Sequence, residues 1–310
     1  MTDLTRRQMI RCTAGALPLP AALVSEASIA DEQNTAVVVD THLHCFGGLD
    51  PRFPYHSAAP YRPEAKATPE HLIRSMDSAG VDFAVVVHPE PYQDDHTYLE
   101  HCLRIGGSRL KGTCLFFSDR PGSVDRMATL VRQNPDRIIA ARVHAYAPGR
   151  LPPFGTKELR HLWATATDLG LAIQLHFEPR YAAGFEPLIR EFSDTKVIID
   201  HLGRPMQGTI REHDVVVRWS RFRNTVMKIS SLPDQNRYPH RDAGPVIHKL
   251  TNVFGADRII YGGGFNSQAT GDSYRNYRQQ VADALSHLSD DDRSRILGGT
   301  AQTLFNFAYA

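Results

Sequence analysis

The sequence predicts a single-domain α/β fold, a (β/α)8 TIM barrel, on three observations. Eight short apolar runs alternate with amphipathic stretches from residue 37 onward. The runs are continuous rather than alternating, as strands covered on both faces must be. Neither a GxGxxG after the first run nor a Walker loop occurs, which removes the nucleotide-binding open sheet. A chain of 310 residues, 42% hydrophobic and 22% charged, has material for one barrel of roughly 250 residues.

Each element follows from local pattern. The strand candidates are residues 37–44, 81–88, 110–117, 138–146, 171–177, 196–201, 226–231 and 258–263. Thr68-Pro69-Glu70 opens a helix with an N-cap and a proline in its first turn, and Gly80 closes it. Residues 123–134, 157–170 and 243–255 are punctuated in the same way. A helix over about 273–288 and another from Asp290 to near Phe307 end the chain. Residues 45–67, with four prolines, make a long loop after the first strand, placed to cover the barrel mouth. There is no repeat, low-complexity segment or second domain.

The first thirty residues differ. Arg6-Arg7 precedes a mildly apolar stretch from Cys12 to Val24, and Ser28-Ile29-Ala30 supplies a small-x-small cleavage site. That order predicts a twin-arginine signal over residues 1–30, a mature barrel over 37–310 and a periplasmic location, with a basic cytoplasmic N-terminus as the alternative. The stretch is short and broken by Pro18 and Pro20, so no stable membrane insertion is expected. Cys45, Cys102 and Cys114 are an odd, sparse set, which does not read as a disulfide framework. The formal net charge of +1 leaves no electrostatic footprint for nucleic acid and favours a small-molecule partner. Oligomeric state is not encoded legibly.

Catalytic groups of such barrels sit at the C-terminal strand ends. There the sequence places His42 and His44 (first strand), His88 (second), His144 (fourth), His176 (fifth) and His201 (sixth), six of fifteen histidines. Alternation along the first strand puts Asp40, His42 and His44 on one inward face. Two imidazoles so close are costly to bury without a shared partner, a metal or an anionic substrate. His88 and His144, taken singly, read as structural. His56, His71, His161, His213 and His287 read as surface residues. Arg142, Arg204 and Lys228 lie near strand ends, Arg180 reads as solvated, and an inward Arg142 suits a carboxylate.

The run Asp40-Thr41-His42-Leu43-His44 joins Ile199-Asp200-His201-Leu202-Gly203-Arg204-Pro205 to form a recognisable pair. Arg142, Lys228-Ile229-Ser230-Ser231 and Ile296-Leu297-Gly298-Gly299-Thr300-Ala301 accompany them. Together they resemble the amidohydrolase superfamily, in the branch that holds 2-pyrone-4,6-dicarboxylate lactonase and sugar-lactone hydrolases. The resemblance implies hydrolysis of a lactone, with metal-dependent amidohydrolases and decarboxylases as relatives. It implies His42, His44, His176 and His201 as catalytic groups, with Arg142, Arg204, Lys228, His144 and His88 on the substrate. Where relatives hold zinc, His-x-His and a histidine from strand five or six are ligands, here His42, His44 and His176, with His201 as the alternative third histidine. The lactonase branch works without metal, so no cofactor is obligatory, and a single zinc-like ion is the alternative.

One position departs from the pattern. Relatives end strand eight on an aspartate that takes a proton from water, whereas this chain has Gly262-Gly263-Gly264, with Gly264 at the aspartate's place. A general base contributes about 10²–10⁴-fold. Three readings follow: His176, His201 or Asp40 takes the role, the protein binds a ligand without turnover, or the reaction needs no such base. The glycines also suggest main-chain N–H groups offered to an oxyanion.

Overall fold

The computed structural model describes residues 36–232 and 242–309; the predicted export signal lies outside them. Eight parallel strands form one sheet in the order β1 to β8. They are β1 Val39–Leu43, β2 Phe83–Val87, β3 Leu110–Leu115, β4 Ile138–Ala145, β5 Ala172–Phe177, β6 Val197–Ile199, β7 Thr225–Ile229 and β8 Ile259–Tyr261. All eight predicted runs are strands, with ends that differ from the prediction by no more than two residues. Between them lie α1 Pro69–Ala79, α2 Thr97–Gly106, α3 Ser123–Gln133, α4 Lys157–Asp168, α5 Glu186–Glu191, α6 Ile210–Arg218, α7 Gly244–Phe254 and α8 Gly271–Ala284. The chain then runs through α9 Asp290–Ser294, a π-helical turn Arg295–Gly299 and α10 Thr300–Phe305.

The punctuation works as read. The Thr68 hydroxyl accepts from His71 N, and Gly80 closes α1 in the left-handed conformation at φ 65°. The helices α2, α5 and α6 were not legible in the pattern. Among them α6 carries a capping box, Thr209 with Glu212, but its buried face is only His213, Val216 and Val217. Among the described residues no helix is long and apolar enough to cross a membrane, and Cys45, Cys102 and Cys114 are buried free thiols.

Two apolar layers hold the barrel. One fills the space between strands and helices. The other is the barrel floor, where Val39, Val85, Ala140, Ala172, Ile198, Val226 and Ile260 meet Phe305 and Phe307 from the C-terminal end. Lys111 donates to the Phe305 carbonyl at 2.7 Å and so fixes that plug.

The ladder register shifts between Asp40 and Leu43. Val39 belongs to the floor, whereas Leu43 belongs to the outer layer, so alternation fails within β1. Asp40 consequently does not share the histidines' face. Its carboxylate accepts from His42 N (2.8 Å), Gly263 N (2.7 Å) and the Tyr274 hydroxyl of α8 (2.5 Å). With Thr41 Oγ1 donating to the Tyr261 carbonyl at 2.6 Å, these bonds join β8 to β1, a pair absent from the strand ladder. The seam is tight: a Cβ at Gly262 would lie 2.6 Å from His42 N and 2.7 Å from His42 Cβ. Gly262→Ala should therefore lower stability by about 1–3 kcal/mol or more, read as a shifted urea midpoint; an unchanged midpoint would show that the seam yields freely.

Candidate active site

The site grows from the two-residue period of the strands. Above the apolar floor at Ala140, Ala172, Ile198 and Val226, the next inward positions are Arg142, Gln174, Asp200 and Lys228. One pleat higher stand His144, His176 and Ser230, with His201 beside them, and His42 and His44 arrive from β1. Cross-strand register pairs Arg142 with Gln174 and His144 with His176. The barrel thus stacks an apolar floor, a charged layer and a layer of imidazoles.

Asp200 organises the charged layer. Its Oδ2 accepts from Arg142 Nη2 at 2.9 Å and Nε at 3.2 Å, and Gln174 Nε2 lies 3.0 Å from both oxygens. Lys228 Nζ lies 3.3 Å from Oδ1, and His42 Nδ1 lies 3.5 Å from it. Gln174 is held in turn by Thr113 Oγ1 at 3.1 Å. Burial alone would push the Asp200 carboxyl up, but Lys228, His42 and Arg142 hold it well below the usual carboxylate range. Lys228 also donates to the Thr41 carbonyl at 2.9 Å and approaches His42 Nδ1 at 3.5 Å.

Burial keeps the imidazoles neutral. His44 and His201 are pushed down to about 3, chiefly by desolvation and further by Arg142. His42, His144 and His176 are also lowered well below the ordinary value, desolvation being the largest cause for each. Hydrogen bonding fixes one tautomer: His44 Nδ1 lies 2.7 Å from the Val87 carbonyl, which only accepts. Neutral His44 therefore carries its proton on Nδ1 and has an unprotonated Nε2. His201 Nδ1 pairs with Ser230 Oγ at 2.8 Å. His144 has both ring nitrogens buried without a hydrogen bond, and His176 has Nδ1 in that state.

A strained turn delivers His201 and Arg204. His201, Leu202, Gly203 and Arg204 have φ of 54°, 59°, 68° and 55°. Left-handed non-glycine residues cost on the order of 1–3 kcal/mol each, and such strain concentrates at functional sites. Gly203 is needed for contact as well, because a Cβ there would lie 2.6 Å from Val216 Cγ1. His213 pins the turn by donating Nε2–H to the Leu202 carbonyl at 2.7 Å; it is buried, not the surface residue expected. Arg204 reaches a cavity of about 390 Å³ with Arg142, His144, His176, Glu90 and Tyr146. A second lobe of about 400 Å³ is lined by His42, Phe46, Gly263, Gly264 and Asn266. His44 and His201 border both, and Pro60, Tyr61 and Pro63 of the long first loop line one lobe or the other.

Several expectations change. Arg142 lines the cavity, but Nε and Nη2 of its guanidinium are held by Asp200. Lys228 is buried on the same carboxylate. Arg204 makes no side-chain hydrogen bond or ion pair among the described residues. His88 lines neither lobe, donating Nε2–H to the Gln93 carbonyl at 2.9 Å and stacking on His96. Gly263 N is engaged by Asp40, so it is not a free oxyanion donor, and Asp40 faces the seam rather than the mouth. Gly264 has φ 108° and a Cβ there would lie 2.7 Å from the Tyr274 ring, which leaves no room for a carboxylate side chain without moving α8. Sequence reasoning passed over Asp200 as a site residue and missed Glu90, which pairs with Arg150, accepts from the Tyr146 hydroxyl and lies 3.6 Å from His144 Nδ1. Glu90 follows directly on His88-Pro89, and its place just past strand two was the available signal.

Comparison with known proteins places this geometry. The family model described as amidohydrolase matches residues 39–307. Among solved structures, a probable 2-pyrone-4,6-dicarboxylic acid hydrolase from Acinetobacter baumannii with citric acid bound is similar at a TM-score of 0.71 and 20% identity, over 87% of this chain and 99% of that one. A second probable hydrolase of that kind, from Pseudomonas putida, gives 0.69 and 21% over 89% and 99%. An amidohydrolase from Burkholderia multivorans with bound zinc gives 0.67 and 15% over 88% and 100%. No curated protein matches significantly.

Zinc in that relative raises the question of fit here. Among the described residues the convergent ligand group is His42, Asp200 and His201, whose donor atoms lie within 4.8 Å of one another. Of the expected set of His42, His44 and His176 or His201, only His42 and His201 belong to that group, and Asp200 completes it. In this group Asp200 and His42 already face the Lys228 ammonium, and Asp200 also serves Arg142. The donors as arranged do not fit a divalent ion.

Two stability predictions follow. Arg142→Met leaves Asp200 short of a buried partner and should cost about 3–5 kcal/mol, whereas Arg204→Met should cost under about 1 kcal/mol. Equal losses in chemical denaturation would contradict the assignment of Arg142 to structure and Arg204 to ligand. For pH, imidazoles lowered to about 3 (His44, His201) and about 4 (His88) bind protons in the unfolded chain before the folded one. Their contribution is present above the unfolded value of about 6.5 and is lost as pH falls toward the folded values. Among the described residues, Asp40, raised by burial to about 6, opposes them below that pH. The thermal midpoint should fall from pH 7 to pH 4.5; a level or rising midpoint would refute the neutral-imidazole picture.

Proposed function

The chain belongs to the amidohydrolase family, and from that premise we propose that it is a hydrolase opening the ring of a small, carboxylated lactone without an obligatory metal ion. The observation that carries this reading is Arg204, a guanidinium with no side-chain partner among the described residues, set in a cavity walled by neutral imidazoles. Arg150 is matched by Glu90, and Asp200 faces both Arg142 and Lys228, so the mouth carries surplus positive charge. A guanidinium fork in such a place suits a carboxylate. The citric acid bound by the similar Acinetobacter protein is itself a polycarboxylate, which supports the substrate class.

In this reading the substrate's carboxylate sits on Arg204. Its lactone carbonyl accepts from His201 Nε2–H, the tautomer obtained when Ser230 donates to Nδ1. His44, with Nε2 free and Nδ1–H on Val87, takes a proton as water adds to the carbonyl carbon. The ring C–O bond then breaks, and the proton passes to the leaving oxygen. His44 thus assumes the task of the missing strand-eight carboxylate; His42 and His176 complete the wall. Its depressed basicity is relieved by the substrate, because an anion beside an imidazole favours the protonated form.

The test uses 2-pyrone-4,6-dicarboxylate and an uncharged lactone of similar size, followed by loss of ring absorbance. Arg204→Met should raise KM for the dicarboxylate roughly 10–100-fold, the worth of a charged hydrogen bond, and leave the uncharged lactone unaffected. His44→Gln should lower kcat about 10²–10⁴-fold. No turnover of any carboxylated lactone by the unaltered protein would defeat the proposal, as would equal effects of Arg204→Met on both substrates.

A further inference from the structure

Lys228 is the one fully buried lysine of the charged layer, about 1% exposed, and nothing in the proposed chemistry uses it. Its ammonium has three neighbours: the Thr41 carbonyl at 2.9 Å, Asp200 Oδ1 at 3.3 Å and His42 Nδ1 at 3.5 Å. These are a carbonyl, a carboxylate and an imidazole, the donor types that hold a divalent ion. Two of them, His42 and Asp200, belong to the group with His201 whose ligand atoms converge within 4.8 Å.

We propose that the Lys228 ammonium is the resident cation of this mouth, occupying with a side chain the place between His42 and Asp200 that a divalent metal would require, and so closing the site to metal. A zinc ion about 2.0–2.2 Å from a carboxylate oxygen and an imidazole nitrogen would stand against an ammonium that shares those same atoms. Repulsion between unit charges a few ångströms apart in a protein is several kcal/mol at an effective dielectric of about 20, and a doubly charged ion meets more. Arg142 on the other oxygen adds to it. The strand position is what makes this possible: Lys228 stands two residues above Val226 of the floor, level with Asp200 two above Ile198, so its stem is buried and its head cannot swing to solvent. The ammonium does not replace a metal's chemistry, since it holds no open position; it holds Asp200 and His42 in place. The inference concerns metal occupancy and stands apart from the lactone reading.

The experiment compares the full chain with Lys228→Ala and Lys228→Gln after incubation with zinc and dialysis against buffer without chelator. Metal is counted by elemental analysis, and affinity is measured by competition with a zinc-binding dye. The unaltered protein should retain well under one equivalent, and Lys228→Ala should retain about one, bound at least tenfold more tightly. Adding His42→Ala to Lys228→Ala should abolish that gain. Cobalt in Lys228→Ala should show the intense visible bands of a four- or five-coordinate site. Should Lys228→Ala fail to fold, Lys228→Gln, which keeps the stem and removes the charge, is expected to show the same gain. Stoichiometric zinc in the unaltered protein that vanishes on His42→Ala would overturn the proposal. So would a folded Lys228→Ala or Lys228→Gln with no zinc above the unaltered protein. Neither result depends on turnover, so the lactone assignment stands or falls separately.

Discussion

The buried carboxylate of Asp200 is the interaction on which the rest of this barrel depends. Removing an ionised carboxylate from water costs several kcal/mol even after relaxation, so it persists only with excellent partners. Arg142, Gln174, Lys228 and His42 supply them from β4, β5, β7 and β1, and Asp200 itself ends β6. One anion therefore ties five strands at a common level. It also sets the chemistry above it: two cations face that single buried charge, and Arg142 is among the causes that keep His44, His144, His176 and His201 from taking a proton.

The seam between β8 and β1 is the second constraint, and it leaves no room for a carboxylate at the end of strand eight. Gly262 passes against the His42 backbone, and Gly263 and Gly264 have φ of 116° and 108°. Such a path admits glycine and almost nothing else. Asp40 receives the Gly263 amide and the Tyr274 hydroxyl, so this carboxylate of β1 serves structure at the seam. Gly264 is thus not a vacant socket into which an aspartate fits.

How much of this was legible depended on whether the information was periodic or local. Eight strands, the caps of α1 and the layer order Ala140-Arg142-His144 and Ala172-Gln174-His176 follow from a period of two and from turn chemistry, which a single sequence records. The shift within β1 does not, because alternation assumes the ladder it is used to predict; Asp40 was therefore placed on the wrong face. His213 looked superficial because its partner, the Leu202 carbonyl, becomes available only through a left-handed turn eleven residues upstream. Arg142 and Arg204 both line the same cavity. Which of them pairs with Asp200 is a matter of distance in space, and no spacing along the chain expresses it.

The electrostatics of the mouth also join recognition to reaction. An imidazole lowered to about 3, as His44 is, is a poor base in the free protein. Its depression comes first from desolvation and then from Arg142, and both act against positive charge at that place. In the proposed reaction, a carboxylate delivered to Arg204 would offset the second influence, and the oxyanion formed as water adds would offset it further. In the proposed reading, proton acceptance by His44 would be favoured by an anionic substrate, and most strongly as the transition state is approached. A neutral ester of the same size would bind among the same side chains without supplying that field. Selectivity for carboxylated substrates would then appear in the chemical step as well as in binding, which is the expected signature of interactions that strengthen toward the transition state.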